Sequence, residues 1–397
     1  MKLGSTTRAV LACAAGGLLA TGCGGATGGG AAPEETATPH GYVEGAEETA
    51  EAQWRLVMAD TGTGALHMLD PATEEVTEVG SAPGAEEAAA DGRFAYFGTG
   101  SGAVVLDSGT WTVDHGDHVH YYRADPAVVG EVEAEGPIQA AADTTTAALT
   151  SRAGVRLLDR AALEEGGTGE PAAREGAAAL PYGGHVVAVG ADGAVTVLDR
   201  DGEPAGTAGT AVDARCPDPA GQALTRRGAV LGCADGALVL TEDDGAWTAD
   251  TVPYPDGAPA GPVTAFHHRP GAAVLAGAAG GGDGGVWVLD VGERAWTHLD
   301  TGPAAAVSAA GEELPVLVLG EDGTLRAYDP ATGEQTAAAE LMDEAPEGAA
   351  VLIDTNRAYV NEPAADAVHE IDYNDDLRLA RTFDLGFSPD LMVETGW

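Results

Sequence analysis

The sequence predicts an all-β protein, an eight-bladed β-propeller over residues 52–397, and three observations support this fold class. One short apolar motif, usually preceded by Gly and followed by Asp, recurs along the chain. Its copies are spaced almost evenly. No long segment shows the 3.6-residue apolar period of an amphipathic helix. An irregular β-sandwich is the alternative fold.

The recurring unit is a strand, a turn that ends in Gly, a second strand and a closing polar residue. The closing residues are Asp70, Asp107, Asp159, Asp199, Thr241, Asp290, Asp329 and Asp372. Their spacings run from 37 to 52 residues with a mean of about 43, the usual length of a four-stranded propeller blade. We expect Ser388–Trp397 to complete the first or the last blade.

Three Trp-centred runs follow the closing residues of their units and predict outer strands of the blades. These runs are Thr110–Thr112, Ala246–Thr248 and Ala295–Thr297.

The N-terminus has the features of an export signal. Two basic residues flank the start of the apolar run Ala9–Ala20, which is too short to span a bilayer comfortably. The run ends in Leu18–Cys23, which resembles a bacterial lipobox, although Ala20 stands where Leu is usual. We therefore predict a lipoprotein signal peptide over residues 1–22 and lipidation of Cys23, which would anchor the protein to the outer face of the cell membrane. Secretion without an anchor is the alternative.

Residues 23–51 are predicted to form a disordered acidic tether, because they are rich in Gly, Ala, Thr, Pro and Glu and show no periodicity. Within them, His40–Glu48 combines one His with three carboxylates. This piece would collect a metal ion weakly, or it is only a solvated linker.

The charge excludes one class of partner. The chain has 63 acidic and 19 basic residues, a net charge of −44. Such a surface repels phosphate backbones, so we expect no nucleic-acid partner. Cations are natural partners of such a negatively charged surface. The alternative is that the acidic residues only keep the protein soluble.

Two cysteines lie in the body of the chain, Cys216 and Cys233, since the other two belong to the N-terminal segment. In an exported protein such a pair predicts a disulfide. Two reduced thiols or two metal-binding thiolates are the alternatives.

The stretch Asp114–Tyr122 contains three of the ten histidines of the chain, His115, His118 and His120. His118 and His120 lie two residues apart, which places both rings on one side of an extended strand. Asp114 and Asp117 would serve as ligands or as acceptors that orient the imidazoles. Imidazoles with a carboxylate suit Zn²⁺, with Cu²⁺ or Ni²⁺ as alternatives. A solvated loop is the competing interpretation.

The longest spacing of the repeat, between Asp107 and Asp159, contains this stretch. We therefore place it in a loop that leads from the outer strand of blade 2 to blade 3, beside the mouth of the central channel. His267 at the inner edge of blade 6 and His185 in blade 4 are further candidate ligands. The remaining body histidines, His67, His268, His298 and His369, are weaker candidates, and the three in or beside strands fit packing or surface positions.

No nucleophile elbow, phosphate-binding Gly loop or HExxH motif is present, so we do not expect an enzyme. A propeller hydrolase that holds Ca²⁺ is a minor alternative, and the histidines argue against it because Ca²⁺ prefers oxygen ligands.

These residues together resemble the AztD-type zinc metallochaperones, which are exported β-propeller partners of a zinc ABC transporter. The matching pieces are His40–Glu48, Asp114–Tyr122, Cys216-Pro217 with Gly232–Gly236, and Phe266–His268. In the family a His and a Glu often follow the first Cys, whereas Cys216–Gln222 has neither.

The resemblance implies a protein that binds Zn²⁺ outside the cytoplasm and delivers it to the solute-binding protein of the transporter. We expect a monomer that meets the membrane only through its lipid anchor. The alternative is an envelope-anchored propeller that binds a protein or glycan partner and carries an incidental histidine loop.

Overall fold

The computed structural model describes residue 43 and residues 45–116, 118–205, 212–281 and 284–397. The predicted signal peptide, Cys23, most of the tether and Asp117 lie outside the described residues. The described part is all-β, with one short α-helix (α1, Arg160–Glu164) and one 3-10 helix (Pro363–Ala365). Neither helix has the length and apolar character needed to cross a membrane.

The strands of the first half are short and mostly buried in their middle sections. In chain order they are β1 Glu47–Thr49, β2 Arg55–Ala59, β3 Ala65–Asp70, β4 Glu75–Ser81, β5 Glu87–Ala90, β6 Phe94–Gly98, β7 Ala103–Asp107, β8 Thr110–Asp114, β9 Val119–Arg123, β10 Ala127–Val132, β11 Gln139–Ala142, β12 Thr146–Ser151, β13 Gly154–Asp159, β14 Ala172–Arg174, β15 Ala178–Tyr182, β16 His185–Val189 and β17 Val195–Leu198.

The second half continues with the same strand lengths. Its strands are β18 Gly221–Thr225, β19 Gly228–Cys233, β20 Gly236–Asp243, β21 Ala246–Pro253, β22 Val274–Ala278, β23 Val286–Asp290, β24 Ala295–Leu299, β25 Ala304–Ala309, β26 Val316–Gly320, β27 Thr324–Tyr328, β28 Gln335–Glu340, β29 Val351–Ile353, β30 Ala358–Glu362, β31 Ala367–Asp372, β32 Arg378–Asp384 and β33 Leu391–Thr395.

The strands form antiparallel sheets that follow the sequence repeat. Among the described residues, each of eight sheets contains one strand of the aligned motif. The sheet orders are β33-β2-β3-β4, β5-β6-β7-β10, β11-β12-β13-β14, β15-β16-β17, β18-β19-β20-β21, β22-β23-β24, β25-β26-β27-β28 and β29-β30-β31-β32. Single bridges add the segment around Val263 and His267 to β22, at the inner edge of its sheet.

The C-terminal strand joins the two ends of the described fold. β33 pairs with β2 over five residues, from Arg55 opposite Thr395 to Ala59 opposite Leu391. This confirms that the C-terminal run completes the first sheet. The pairing also covers the inner edge of β2, which would otherwise present unpaired backbone groups.

A ninth sheet corrects one sequence-based assignment. Thr110–Thr112 was predicted to be the outer strand of the second blade, but it belongs to β8, which pairs with β9 rather than β7. The outer strand of that sheet is β10, which follows β9. The other two Trp-centred runs do lie in the outermost strands, β21 and β24. The Trp111 ring packs under the Arg93 guanidinium, 3.8 Å away.

The inner strands of neighbouring sheets pack against one another and enclose a cavity. Contacts join β33 to β5, β5 to β11, β11 to β15, β15 to β18, β22 to β25 and β25 to β29. The cavity has a volume of about 640 Å³ and is lined mainly by Ala-rich inner strands, with His267, His268, Gln222 and Glu394 among its polar side chains.

Candidate metal centre

The histidine stretch forms the tip of the β8–β9 hairpin. Asp114 pairs with Val119, and the His115 N–H donates to the His118 carbonyl at 2.9 Å, so the turn contains two residues. Gly116 has a φ of +87°, the left-handed conformation that two-residue hairpin turns require. The Asp114 carboxylate accepts the Gly116 N–H at 2.7 Å and stabilises the turn.

The turn brings the three imidazoles together. The ring centroids of His115 and His118 lie 4.9 Å apart, those of His118 and His120 4.8 Å, and those of His115 and His120 5.3 Å. Their candidate ligand nitrogens all lie within 4.8 Å of one another. In the part of the chain that the structure describes, no other group of three or more His, Cys, Asp or Glu residues converges in this way.

The hairpin geometry explains this convergence. His118 and His120 lie two residues apart on one strand, as predicted, and His115 lies across the turn from His118. All three side chains therefore occupy one face of the hairpin. His115 and His118 are exposed, whereas only 9% of His120 is exposed. The cluster is thus open to solvent at its tip and fixed at its base.

A carboxylate from elsewhere in the chain contacts the cluster. Glu48 lies on β1, which pairs with β9 so that Glu48 is opposite Tyr122. Its Oε1 lies 2.7 Å from Nδ1 of His120. In the sequence, Glu48 is one of the carboxylates of the predicted tether, and no local pattern links it to His120, 72 residues away. The end of the predicted tether is thus a β-strand.

Buried aromatic side chains attach the hairpin to the body of the protein. Trp111 and Tyr122 are buried, and their rings stack at 5.1 Å across the two strands. The Thr112 hydroxyl donates to the Gly396 carbonyl at 3.0 Å, next to Trp397, which lines the cavity. None of the described hairpin residues lines the cavity. The hairpin therefore lies beside the C-terminal strand and not inside the cavity.

His267 lies in the cavity wall and does not join the cluster. Its side chain is exposed to the water of the cavity, and desolvation by the surrounding wall lowers its pKa. The next residue, His268, lies 3.3 Å through Nε2 from the Leu224 carbonyl, and burial lowers its pKa to about 4. Both imidazoles are therefore neutral near pH 7 and able to accept a metal, but each lacks the converging donors that the hairpin has.

His185 is also separate from the cluster. Its Nδ1 lies 3.0 Å from the Gly183 carbonyl, and its ring packs edge-on against Trp247 at 5.7 Å. The three histidines expected to be packing or surface residues have packing roles: His67 stacks on Phe387, His298 packs against Trp287, and His369 lies 2.7 Å from a Glu362 oxygen.

The predicted disulfide is present. Cys216 and Cys233 are bonded, and both are buried in a core cluster between two sheets. A pair of metal-binding thiolates at this position is thereby excluded. The bond closes a loop of 17 residues beside β19 and is typical of an oxidising compartment.

Comparison with known proteins supports the fold. No family model and no curated protein matches the sequence. Two structures of AztD from Citrobacter koseri superpose with TM-scores of 0.70 and 0.72, at 19% and 18% identity. They cover 87% of this chain and 99% and 98% of the AztD chains. The computationally designed Ika8 protein gives a TM-score of 0.50 at 17% identity, over 79% of this chain and 91% of its own.

The described chain therefore has the fold of AztD, and the resemblance seen in the sequence is confirmed at the level of the fold.

Proposed function

We propose that this protein is an exported AztD-type zinc metallochaperone built on an eight-bladed β-propeller. In this proposal the cluster of His115, His118 and His120 captures Zn²⁺ and releases it to the solute-binding protein of a zinc ABC transporter. The observation that carries the proposal is the convergence of three imidazoles within 4.8 Å at the tip of an anchored hairpin.

The donor set favours Zn²⁺ over harder cations. Neutral imidazole nitrogens bind Zn²⁺ at about 2.0–2.1 Å, and three protein ligands with one open position are typical of zinc sites that exchange a ligand. Mg²⁺ and Ca²⁺ prefer sites made of oxygen atoms. Asp114 adjoins His115 in sequence, but its carboxylate accepts the Gly116 N–H and stabilises the turn that holds the histidines.

The exposure of the cluster suits transfer rather than permanent storage. His115 and His118 are exposed at the turn, so an acceptor can approach the ion and replace ligands one at a time. A closed structural site would require the fold to open first. The net charge of −44 attracts cations toward the surface and disfavours nucleic acid.

The proposed location is the outer face of the cell membrane. The disulfide between Cys216 and Cys233 fits an oxidising compartment. The signal peptide over residues 1–22 and lipidation at Cys23 remain predictions and supply the route and the anchor. In this proposal the protein is monomeric, performs no catalysis and carries Zn²⁺ as cargo.

The test is a titration of metal-free protein with Zn²⁺ against a competing chelator, followed by transfer to a metal-free solute-binding protein. We expect tight binding and faster transfer than simple dissociation allows. Absence of tight Zn²⁺ binding would overturn the proposal. Binding of a protein or glycan partner by metal-free protein, with no zinc transfer, would favour the alternative of an incidental histidine loop.

A further inference from the structure

We propose that Glu48 is a positioning residue of the metal site, so that the site is complete only when β1 is paired with β9. This inference rests on the proposed function, because it concerns how the same histidine cluster binds Zn²⁺. It goes further by making a short N-terminal strand, remote in sequence, a component that controls affinity.

The register of the small sheet places Glu48 on the metal-binding face. In β9, His120 and Tyr122 lie two residues apart and point to the same side. Glu48 is the direct partner of Tyr122, so it is the diagonal neighbour of His120 on that side. Its neighbour Glu47 points to the other side and forms an ion pair with Arg123 at 2.7 Å.

The contact selects one form of the imidazole. An ionised carboxylate only accepts hydrogen bonds, so the 2.7 Å contact places a proton on Nδ1 of His120. Nε2 then keeps its lone pair and is the nitrogen available to a metal ion. Carboxylates that orient ligand imidazoles in this way also make the ligand more basic.

Burial makes this orientation persistent. His120 is 9% exposed and lies beside Tyr122, whose ring stacks on Trp111. The His120 ring contacts Glu48, Tyr122 and His118, so it cannot turn freely to present the other nitrogen. The rigid member of the cluster is thus the one that Glu48 contacts, whereas the two exposed histidines adapt to the ion.

β1 is held only weakly, so it is able to pair with β9 and to separate from it. It has three residues, pairs with β9 alone among the described strands, and its side chains are mostly exposed. The Glu47–Arg123 ion pair is exposed and therefore adds little to the pairing. If Glu48 favours the metal-bound cluster, thermodynamic linkage requires that Zn²⁺ favours the paired state of β1.

The first experiment compares Zn²⁺ affinity in Glu48→Ala and Glu47→Ala by chelator competition. Both changes remove one negative charge from the same strand, so the electrostatic field is matched. We expect Glu48→Ala to weaken binding by about 10–100-fold, the range typical for groups that orient ligand imidazoles. Glu47→Ala, which loses only the exposed ion pair to Arg123, should weaken binding far less than Glu48→Ala does. Glu48→Gln should recover part of the loss because its amide oxygen still accepts from Nδ1–H.

Equal affinity of Glu48→Ala and wild type would overturn the inference while the proposed function stands. Failure of the wild type to bind Zn²⁺ would instead overturn the proposed function. Nitrogen NMR of the imidazoles provides an independent criterion, since the inference requires coordination of His120 through Nε2. Coordination through Nδ1, with Glu48 displaced or bound directly to the ion, would also overturn it.

The second experiment measures hydrogen exchange in a peptide that covers residues 45–52. Saturation with Zn²⁺ should slow exchange there in wild type and not in His118→Ala. Unchanged exchange in the zinc-loaded wild type would show that β1 pairing and metal binding are independent. That result would contradict the inference that the site is complete only when β1 is paired with β9.

Discussion

The hairpin tip and the cavity wall both contain histidines, but they use them differently. At the hairpin tip, three rings from two paired strands lie within 5.3 Å of one another and two of them are exposed. In the cavity wall, His267 and His268 are adjacent in sequence, with His267 exposed to the cavity and His268 half-buried. Neighbouring residues of an extended segment point to opposite sides, so adjacency in sequence separates two side chains rather than joining them.

The difference shows that a metal site depends on convergence and not on the number of neutral imidazoles. Burial keeps His268 neutral well below pH 6, which removes competition from protons. Among the described residues, however, His268 belongs to no converging group of three or more His, Cys, Asp or Glu side chains. The hairpin supplies that convergence through its turn and through the pairing of β1.

The largest expected effect distinguishes the hairpin tip from the cavity wall as the location of the metal site. Replacing His115, His118 and His120 together by Ala should lower Zn²⁺ affinity by at least about 100-fold, because losing ligands costs more than losing groups that only orient them. The paired change of His267 and His268 to Ala should leave affinity nearly unchanged. Chelator competition measures both, and the reverse ranking would move the metal site to the cavity.

Removal of the disulfide tests whether the stability of the main sheets affects zinc binding at the hairpin. Replacing Cys216 and Cys233 by Ser should lower the free energy of unfolding by about 3 kcal/mol, since the bond closes a 17-residue loop. Urea unfolding measures this loss. Zinc affinity of the folded variant should equal that of wild type, and a loss of affinity would show that the two regions are coupled.

The pH dependence of stability should come from the cavity wall. The folded-state pKa of His268 is about 4, below the usual 6.5, so the unfolded chain binds a proton more readily. Its contribution to stability is complete above pH 6.5 and is lost as pH falls toward 4. Between pH 8 and 5 the loss should be about 2 kcal/mol.

The measurement compares His268→Gln with wild type by urea unfolding at several pH values. His268→Gln should lose less unfolding free energy between pH 8 and pH 5 than wild type does. The comparison with wild type is needed because burial raises the pKa of Glu394 and Asp354, which act in the opposite direction. Identical slopes for His268→Gln and wild type would contradict the assignment.

The smallest expected effect concerns the turn. Gly116→Ala places a side chain at a φ of +87°, which costs about 1 kcal/mol and should weaken Zn²⁺ binding roughly five-fold. Gly84→Ala is the matched control, because Gly84 has a φ of +76° and also has open space around it. That variant should lose similar stability with unchanged zinc affinity. Equal affinity in both variants would mean that the turn conformation does not position the histidines.

Some features of the candidate site followed from local pattern. The i, i+2 spacing of His118 and His120 was enough to place their rings on one side of a strand. The apolar repeat and its spacing of about 43 residues were enough to predict one repeat strand per sheet. Both depend on interactions between residues close in sequence, where strand geometry leaves few choices.

The error over Thr110–Thr112 has a physical cause. Its pattern equals that of the runs around Trp247 and Trp296, which do form outer strands. The structure instead pairs this run with β9 and gives the outer position to β10. β8 and β10 both have the pattern of a strand that could pair with the free edge of β7. Local pattern does not decide which of the two pairs there.

The sequence by itself determined the all-β class, the repeat, the histidine cluster and the cysteine pair, because strand alternation, turn residues and spacing are local properties. Only the tertiary structure decided that the hairpin stands apart from its sheet, that His267 stays in the cavity wall, and that Glu48 reaches His120. Those outcomes depend on contacts between residues far apart in sequence, 72 positions for Glu48 and His120 and 284 for Thr112 and Gly396. Burial of Trp111 and Tyr122, and the pairing of β1 with β9, select one arrangement from several that the sequence pattern permits.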